Sequence, residues 1–296
     1  MARDLVGKVG PEESINLLNK IQQNDLKYFQ MSEIHLLMHV IGEETYKKYG
    51  QEAVLMCQDD MLNGCMHGVM LSVFADNGFE GIKNIIESCR SQPPYKFRIR
   101  CVHGAGHGFL VASNYRDLPG ALKMCDSIEN IKEKDLESCY YAVFMENVSG
   151  EHDGLVPESH PWLDKDDLFY PCNAVDTRYR DQCYQTQPSW WYQNLRDIRK
   201  TAGLCHNAPP ENQEACAAGV ALLLHVRNKS YEVDTVLNDC GTYFKNDKFF
   251  DACLLITSRA GLARYEFDFA RGLCKNIKAE DTQKECHENI QEFLSL

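Results

Sequence analysis

Apolar side chains recur along this chain with the period of a helix rather than of a strand. In FEGIKNIIESC (79–89), Phe79, Ile82, Ile85 and Ile86 follow three- and four-residue steps with polar residues between them. That spacing puts them on one helix face. LPGALKMC (118–125) reads the same way, and both segments end on a cysteine. CMHGVMLSVFADNG (65–78) and CYYAVFMENV (139–148) are helical segments that begin on one. Polar or proline-containing stretches lie between them: RSQPPYKFRIR (90–100), DSIENIKEKDLES (126–138) and HNAPPENQEA (206–215). Such stretches end helices and form turns. The repeating unit is helix, cysteine, turn, cysteine, helix, and the chain is expected to be all-α.

The 14 cysteines fall into seven close pairs: 57/65, 89/101, 125/139, 172/183, 205/216, 240/253 and 274/286. No pair has the CxxC spacing of a zinc knuckle or a thioredoxin-like site. The regular pairing predicts disulfides Cys57–Cys65, Cys89–Cys101, Cys125–Cys139, Cys172–Cys183, Cys205–Cys216, Cys240–Cys253 and Cys274–Cys286. Disulfides imply an oxidising compartment outside the cytosol; the alternative is a set of reduced core cysteines in a cytosolic protein. The second cysteines of the pairs step by 36, 38, 44, 33, 37 and 33 residues. A period in the mid-thirties marks an array of αα-hairpins. A two-helix unit buries only one face and leans on its neighbours. A staple across a turn of this length stabilises such a unit by roughly 3 kcal/mol. The expected fold is an αα-hairpin repeat solenoid stapled by intra-repeat disulfides.

On period, cysteine placement and phrases such as DLPGALKMC, residues 57–296 resemble the Sel1-like repeats, relatives of the tetratricopeptide repeats, and in particular their cysteine-rich members. The full consensus is absent and several turns are longer, so the resemblance carries architecture and not function. The chain is read as one solenoid domain over 1–296, with N-terminal helices in 11–50 and stapled repeats in 51–296. An insertion loop interrupts the repeats at 147–171. QPSWWYQNL (187–195) is an aromatic segment that either packs over a groove or fills the space the insertion opens.

The net charge of −12 argues against a nucleic-acid partner, which needs a basic surface. The longest apolar stretch, ACAAGVALLLHV (215–226), is too short for a membrane span. The first residues, MARDLVGKVGPEES, lack the apolar core of a secretion signal. The expected location is extracytoplasmic: secreted, periplasmic or cell-surface.

Repeats separate scaffold from site by comparison at equal register. Three places after the second cysteine stand Gly68, Gly104, Ala142, Thr186, Gly219, Ile256 and Asn289. Small residues recur there, as close helix packing requires. Two places after it stand His67, His103, Tyr141, Gln185, Ala218, Leu255 and Glu288, so histidine is not a scaffold requirement. Upstream, EIHLLMHVIGEE (33–44) looks like a cysteine-free version of the same helix. In that alignment His35 matches His103 and His39 matches His107. Histidines at i and i+4 share a helix face. Half of the chain's ten histidines therefore occupy equivalent places in three neighbouring helices. The bland alternative for each one alone is a core or surface histidine bonded to backbone. Gly106 and Gly108 add further helix weakness at about 1 kcal/mol each, read here as leaving room beside a metal.

His35, His39, His67, His103 and His107 are the expected metal ligands. Glu43, Met145, Glu146 and His152 are weaker candidates to complete the shell. Tyr141 and Glu146 are the candidate catalytic residues. An imidazole-dominated shell suits copper, iron, zinc or nickel; copper or iron is favoured and zinc remains an option. Histidine pairs four apart on packed helices are similar in spacing to type-3 dicopper sites. The leading reading is a metal-dependent oxidoreductase acting on a small molecule. The alternatives are a metal-free interaction module with a protein or glycan partner on its concave face, a metal carrier, and a zinc hydrolase. The chain lacks a GxSxG elbow, a P-loop and HExxH, and Cys205 in CHN (205–207) is committed to a disulfide. NVS (147–149) and NKS (228–230) match the N-glycosylation pattern.

Overall fold

The computed structural model describes residues 2–24, 31–57, 64–149, 161–228, 232–244, 247–262 and 266–294. Among these, all regular structure is helical. The residues cluster into two compact units, 1–162 and 163–296. The boundary falls inside the stretch that interrupts the repeats at 147–171.

The first unit holds α1 (Ala2–Val9), α2 (Pro11–Asn24), α3 (Met31–Tyr49), α4 (Gly64–Cys89), α5 (Gly104–Ala112), α6 (Leu118–Asp126) and α7 (Glu133–Ser149). Helix α1, upstream of the expected start at 11, packs on α2 and α3. On α3, Ile34, Met38 and Ile41 are fully buried at the i, i+4, i+7 spacing of a core face. Helix α4 is two helices joined at Gly78, whose backbone is left-handed (φ 59°) and so favours glycine. The bend separates 65–77 from 79–89, where the apolar pattern divides them. Ile82, Ile85 and Ile86 are essentially solvent-free, each such burial contributing about 1.5–3 kcal/mol. Asp117 caps α6 by accepting from the Gly120 N–H at 2.8 Å, with Pro119 in the first turn, an arrangement typical of helix starts.

Two boundaries differ from the pattern-based expectation. Helix α7 begins at Glu133, six residues before Cys139. The stretch Phe97–His103 before α5 is a π-helix that passes directly into it, so the segment around Cys101 is wider than an α-turn. Such widened turns often accompany functional sites.

The second unit holds α8 (Arg180–Leu195), α9 (Ile198–Leu204), α10 (Gln213–Asn228), α11 (Val233–Tyr243), α12 (Asp247–Leu262), α13 (Phe267–Cys274) and α14 (Glu280–Leu294). Contacts run α3–α4–α5–α7 in the first unit and α8–α10–α12–α14 in the second. Of the two readings of the aromatic segment, space-filling is the one observed. Trp191 is solvent-free, donates its indole N–H to the Leu168 carbonyl and meets the Phe169 ring edge-on at 5.3 Å.

All seven disulfides form in the expected pairing: Cys57–Cys65, Cys89–Cys101, Cys125–Cys139, Cys172–Cys183, Cys205–Cys216, Cys240–Cys253 and Cys274–Cys286. No free cysteine remains, which suits an oxidising environment. Among the described residues, no helix is long and apolar enough to cross a membrane.

Candidate metal centre

The site is built on three consecutive helices. Helix α4 is central and touches α3 on one side and α5 on the other. The contact with α3 is backbone-close: a Cβ on Gly68 would stand 2.0 Å from the His39 carbonyl oxygen, and one on Gly42 would stand 2.0 Å from that of Cys65. Two bare glycine faces therefore bring α3 and α4 together at the level of the histidines.

His35 and His39 project from α3 with their Nε2 atoms 3.0 Å apart. His103, at the junction of π-turn and α5, and His107 within α5 repeat the arrangement, with Nε2 atoms 3.1 Å apart. His67 of α4 lies between the pairs. Its ring centroid is 5.2 and 5.3 Å from those of His35 and His39, nearly perpendicular to both. It is 5.8 and 4.0 Å from those of His103 and His107. Two sets of potential ligand atoms result, His35/His39/His67 and His67/His103/His107, each with all its atoms within 4.8 Å of one another. The five expected histidines are thus brought together, and His67 belongs to both sets.

Four of the five rings are buried and His103 is half-buried. His67 is 2% exposed, and among the described residues neither of its ring nitrogens has a hydrogen-bond partner. Burial and the surrounding imidazoles hold its pKa well below the usual histidine value. His103 is lowered for the same reasons, burial first, against the opposing pull of a hydrogen bond to the Ser138 backbone. Both imidazoles are therefore neutral near pH 7, the form in which they ligate metal.

The other candidates take different places. Glu146 is buried and its Oε2 lies 2.6 Å from His107 Nδ1, leaving His107 Nε2 aimed at His103. Its Oε1 accepts from the Tyr115 hydroxyl at 2.5 Å. Glu146 therefore orients His107, as carboxylates commonly do behind metal-bound histidines. Sequence reasoning missed Tyr115. It sits in the turn after α5 in a left-handed conformation (φ 59°), and its link to Glu146 spans 31 residues. The one local signal was a buried-type aromatic ring in an otherwise polar turn.

Tyr141 stands with its ring 5.9 Å from that of His103, and desolvation pushes its pKa up to about 12. It remains a neutral phenol beside the half-buried histidine. Met145, one turn further on, is half-buried on the same helix face. Glu43 turns away: its carboxylate faces Arg3 at 3.8 Å near the surface. His152 lies outside the described residues, as do Lys229 and Ser230 of NKS. Asn147 of NVS is buried and donates to the Trp162 carbonyl at 3.2 Å, which makes it unavailable to a glycan in the folded chain.

The glycines need one reassignment. A Cβ on Gly106 would stand 2.3 Å from the Cys139 carbonyl oxygen, so Gly106 admits the backbone of α7 and does not clear space beside a metal. Gly104 keeps the packing role expected of its register, against the Met66 and Met70 side chains of α4. Set against known proteins, the chain matches no family model, no curated protein and no solved structure.

Proposed function

We propose that the five histidines hold transition-metal ions and that the protein is a metal-dependent oxidoreductase of an oxidising, extracytoplasmic compartment. The observation that carries this reading is His67. A buried polar atom without a partner costs about 1–3 kcal/mol, and here one ring carries two such atoms and lies between two histidine pairs. Metal ligation supplies the missing partners, and His107, held by Glu146 and Tyr115, is aligned in advance. The ligand sets contain imidazole alone, with the carboxylate placed behind a ligand. That donor chemistry favours copper, ahead of iron, which prefers carboxylates in its shell, and of zinc. A redox ion exchanges electrons with its substrate; the protein's part is to fix the imidazoles and exclude bulk water. Small molecules reach the centre at the half-buried His103, beside the Tyr141 phenol. The stapled αα-hairpin solenoid belongs to the same proposal, supported by the cysteine period and the contact order of the helices.

Metal analysis of untagged protein, purified without chelators, tests the reading. It expects stoichiometric copper or iron in the wild type and little in His67→Ala. Ascorbate-driven oxygen uptake should follow the metal. A metal-free wild type that takes up no copper, or metal that survives His67→Ala unchanged, overturns it.

A further inference from the structure

We infer that His67 bridges two metal ions, one on each ring nitrogen, with His35 and His39 completing one site and His103 and His107 the other. The inference rests on the metal-binding reading above and adds nuclearity and the identity of the bridge. Three observations support it. The two ligand sets share His67 and remain two groups of three instead of merging into one group of five. Helix α4, which carries His67, has the helix of one pair on each side. Both nitrogens of His67 are buried and lack hydrogen-bond partners among the described residues, whereas an ordinary metal-bound histidine donates its second N–H to a carbonyl or carboxylate. His107 shows that ordinary arrangement with Glu146; around His67 stand the rings of His35, His39, His103 and His107.

An imidazole's two nitrogen lone pairs diverge in the ring plane. With metal–nitrogen bonds of about 2.0–2.1 Å, ions on the two nitrogens of one ring stand about 6 Å apart. The His67 and His107 rings, 4.0 Å apart and tilted by 35°, must part for the second ion to enter. Binding of the first ion uses the lone pair of neutral His67. Binding of the second replaces the remaining N–H proton, which passes to solvent, so the ring becomes a bridging imidazolate. A histidine that binds through one nitrogen keeps the proton on its other nitrogen, so the proton count reports the ring that binds through both.

Copper(II) is the probe, since imidazole sites bind it most tightly among the common divalent ions. Apoprotein titrated at pH 8 should take up two equivalents. The first should give a normal single-ion paramagnetic signal. The second should release one proton and collapse that signal, because the two spins couple through the shared ring. His35→Ala/His39→Ala and His103→Ala/His107→Ala should each bind one equivalent with an uncoupled signal. Uptake of one equivalent, lost alike in both double variants, overturns the bridge and leaves a single metal site. Two equivalents with additive signals also overturn the bridge. No copper uptake overturns the bridge together with the metal reading. The coupling in wild-type protein is independent of whether any variant folds.

Discussion

The α3–α4 contact of the first unit and the α8–α10 contact of the second use one packing device for different ends. A Cβ on Gly68 would stand 2.0 Å from the His39 carbonyl oxygen, and one on Gly219 would stand 2.1 Å from that of Gln185. Both glycines follow a disulfide-bonded cysteine by three places. One place earlier the units part: the first unit has His67, the second Ala218. The close approach that leaves a half-buried Ala218 in one unit sets imidazoles beside imidazoles in the other. The same glycine contact thus serves both units, and the residue one place before it is what differs.

The largest effect is expected from giving the first unit the residue of the second. His67→Ala removes the shared member of both ligand sets, and ligands of one shell act as a unit. Metal affinity should fall by more than about 100-fold, beyond the range usual for outer partners, with the helical circular-dichroism spectrum intact. Next comes Glu146→Gln, which removes the charge behind His107 and should cost about 10–100-fold in metal affinity; competition titration against a chelator reads both values.

The glycines sharpen the comparison. Gly68→Ala and Gly219→Ala should each destabilise by about 1–3 kcal/mol through overpacking, read by urea denaturation of apoprotein. Metal affinity should drop only in Gly68→Ala, where the displaced carbonyl belongs to a ligand. Equal metal loss in both variants would show that the scaffold and the site are not separable.

The smallest effect concerns pH. His67 and His103 have folded-state pKa values held below the unfolded value of about 6.5. Their contribution to stability is therefore present above pH 6.5 and is lost as the pH falls below it, because the unfolded chain takes up protons that the buried rings refuse. The Tm of apoprotein should decline between pH 7 and 5, and His67→Gln should flatten part of that decline. An unchanged slope in the variant would mean that other groups cause it.

Disulfide connectivity and the helical class were legible in the sequence, because both depend on local spacing. Partners 8 to 14 residues apart flank one turn, and helix periodicity is a property of adjacent residues. The five histidines were legible through register, since they recur at matching positions of three helices that touch in sequence. How those positions meet depends on contacts between residues far apart in the chain. Glu43 and Glu146 looked alike as candidates; helix phase turned one toward Arg3 and the other against His107. The Tyr115–Glu146 bond joins a turn to a helix 31 residues away, and no local pattern encodes such a distance. The sequence reads Gly106 as room beside a metal, whereas the fold sets the Cys139 carbonyl against it, and the π-stretch before α5 ends on His103. His67 stands at the end of the same scale: its histidine is plain in the chain, but the emptiness of hydrogen-bond partners around both nitrogens arises only when α3, α4 and α5 close on one another and shut out water.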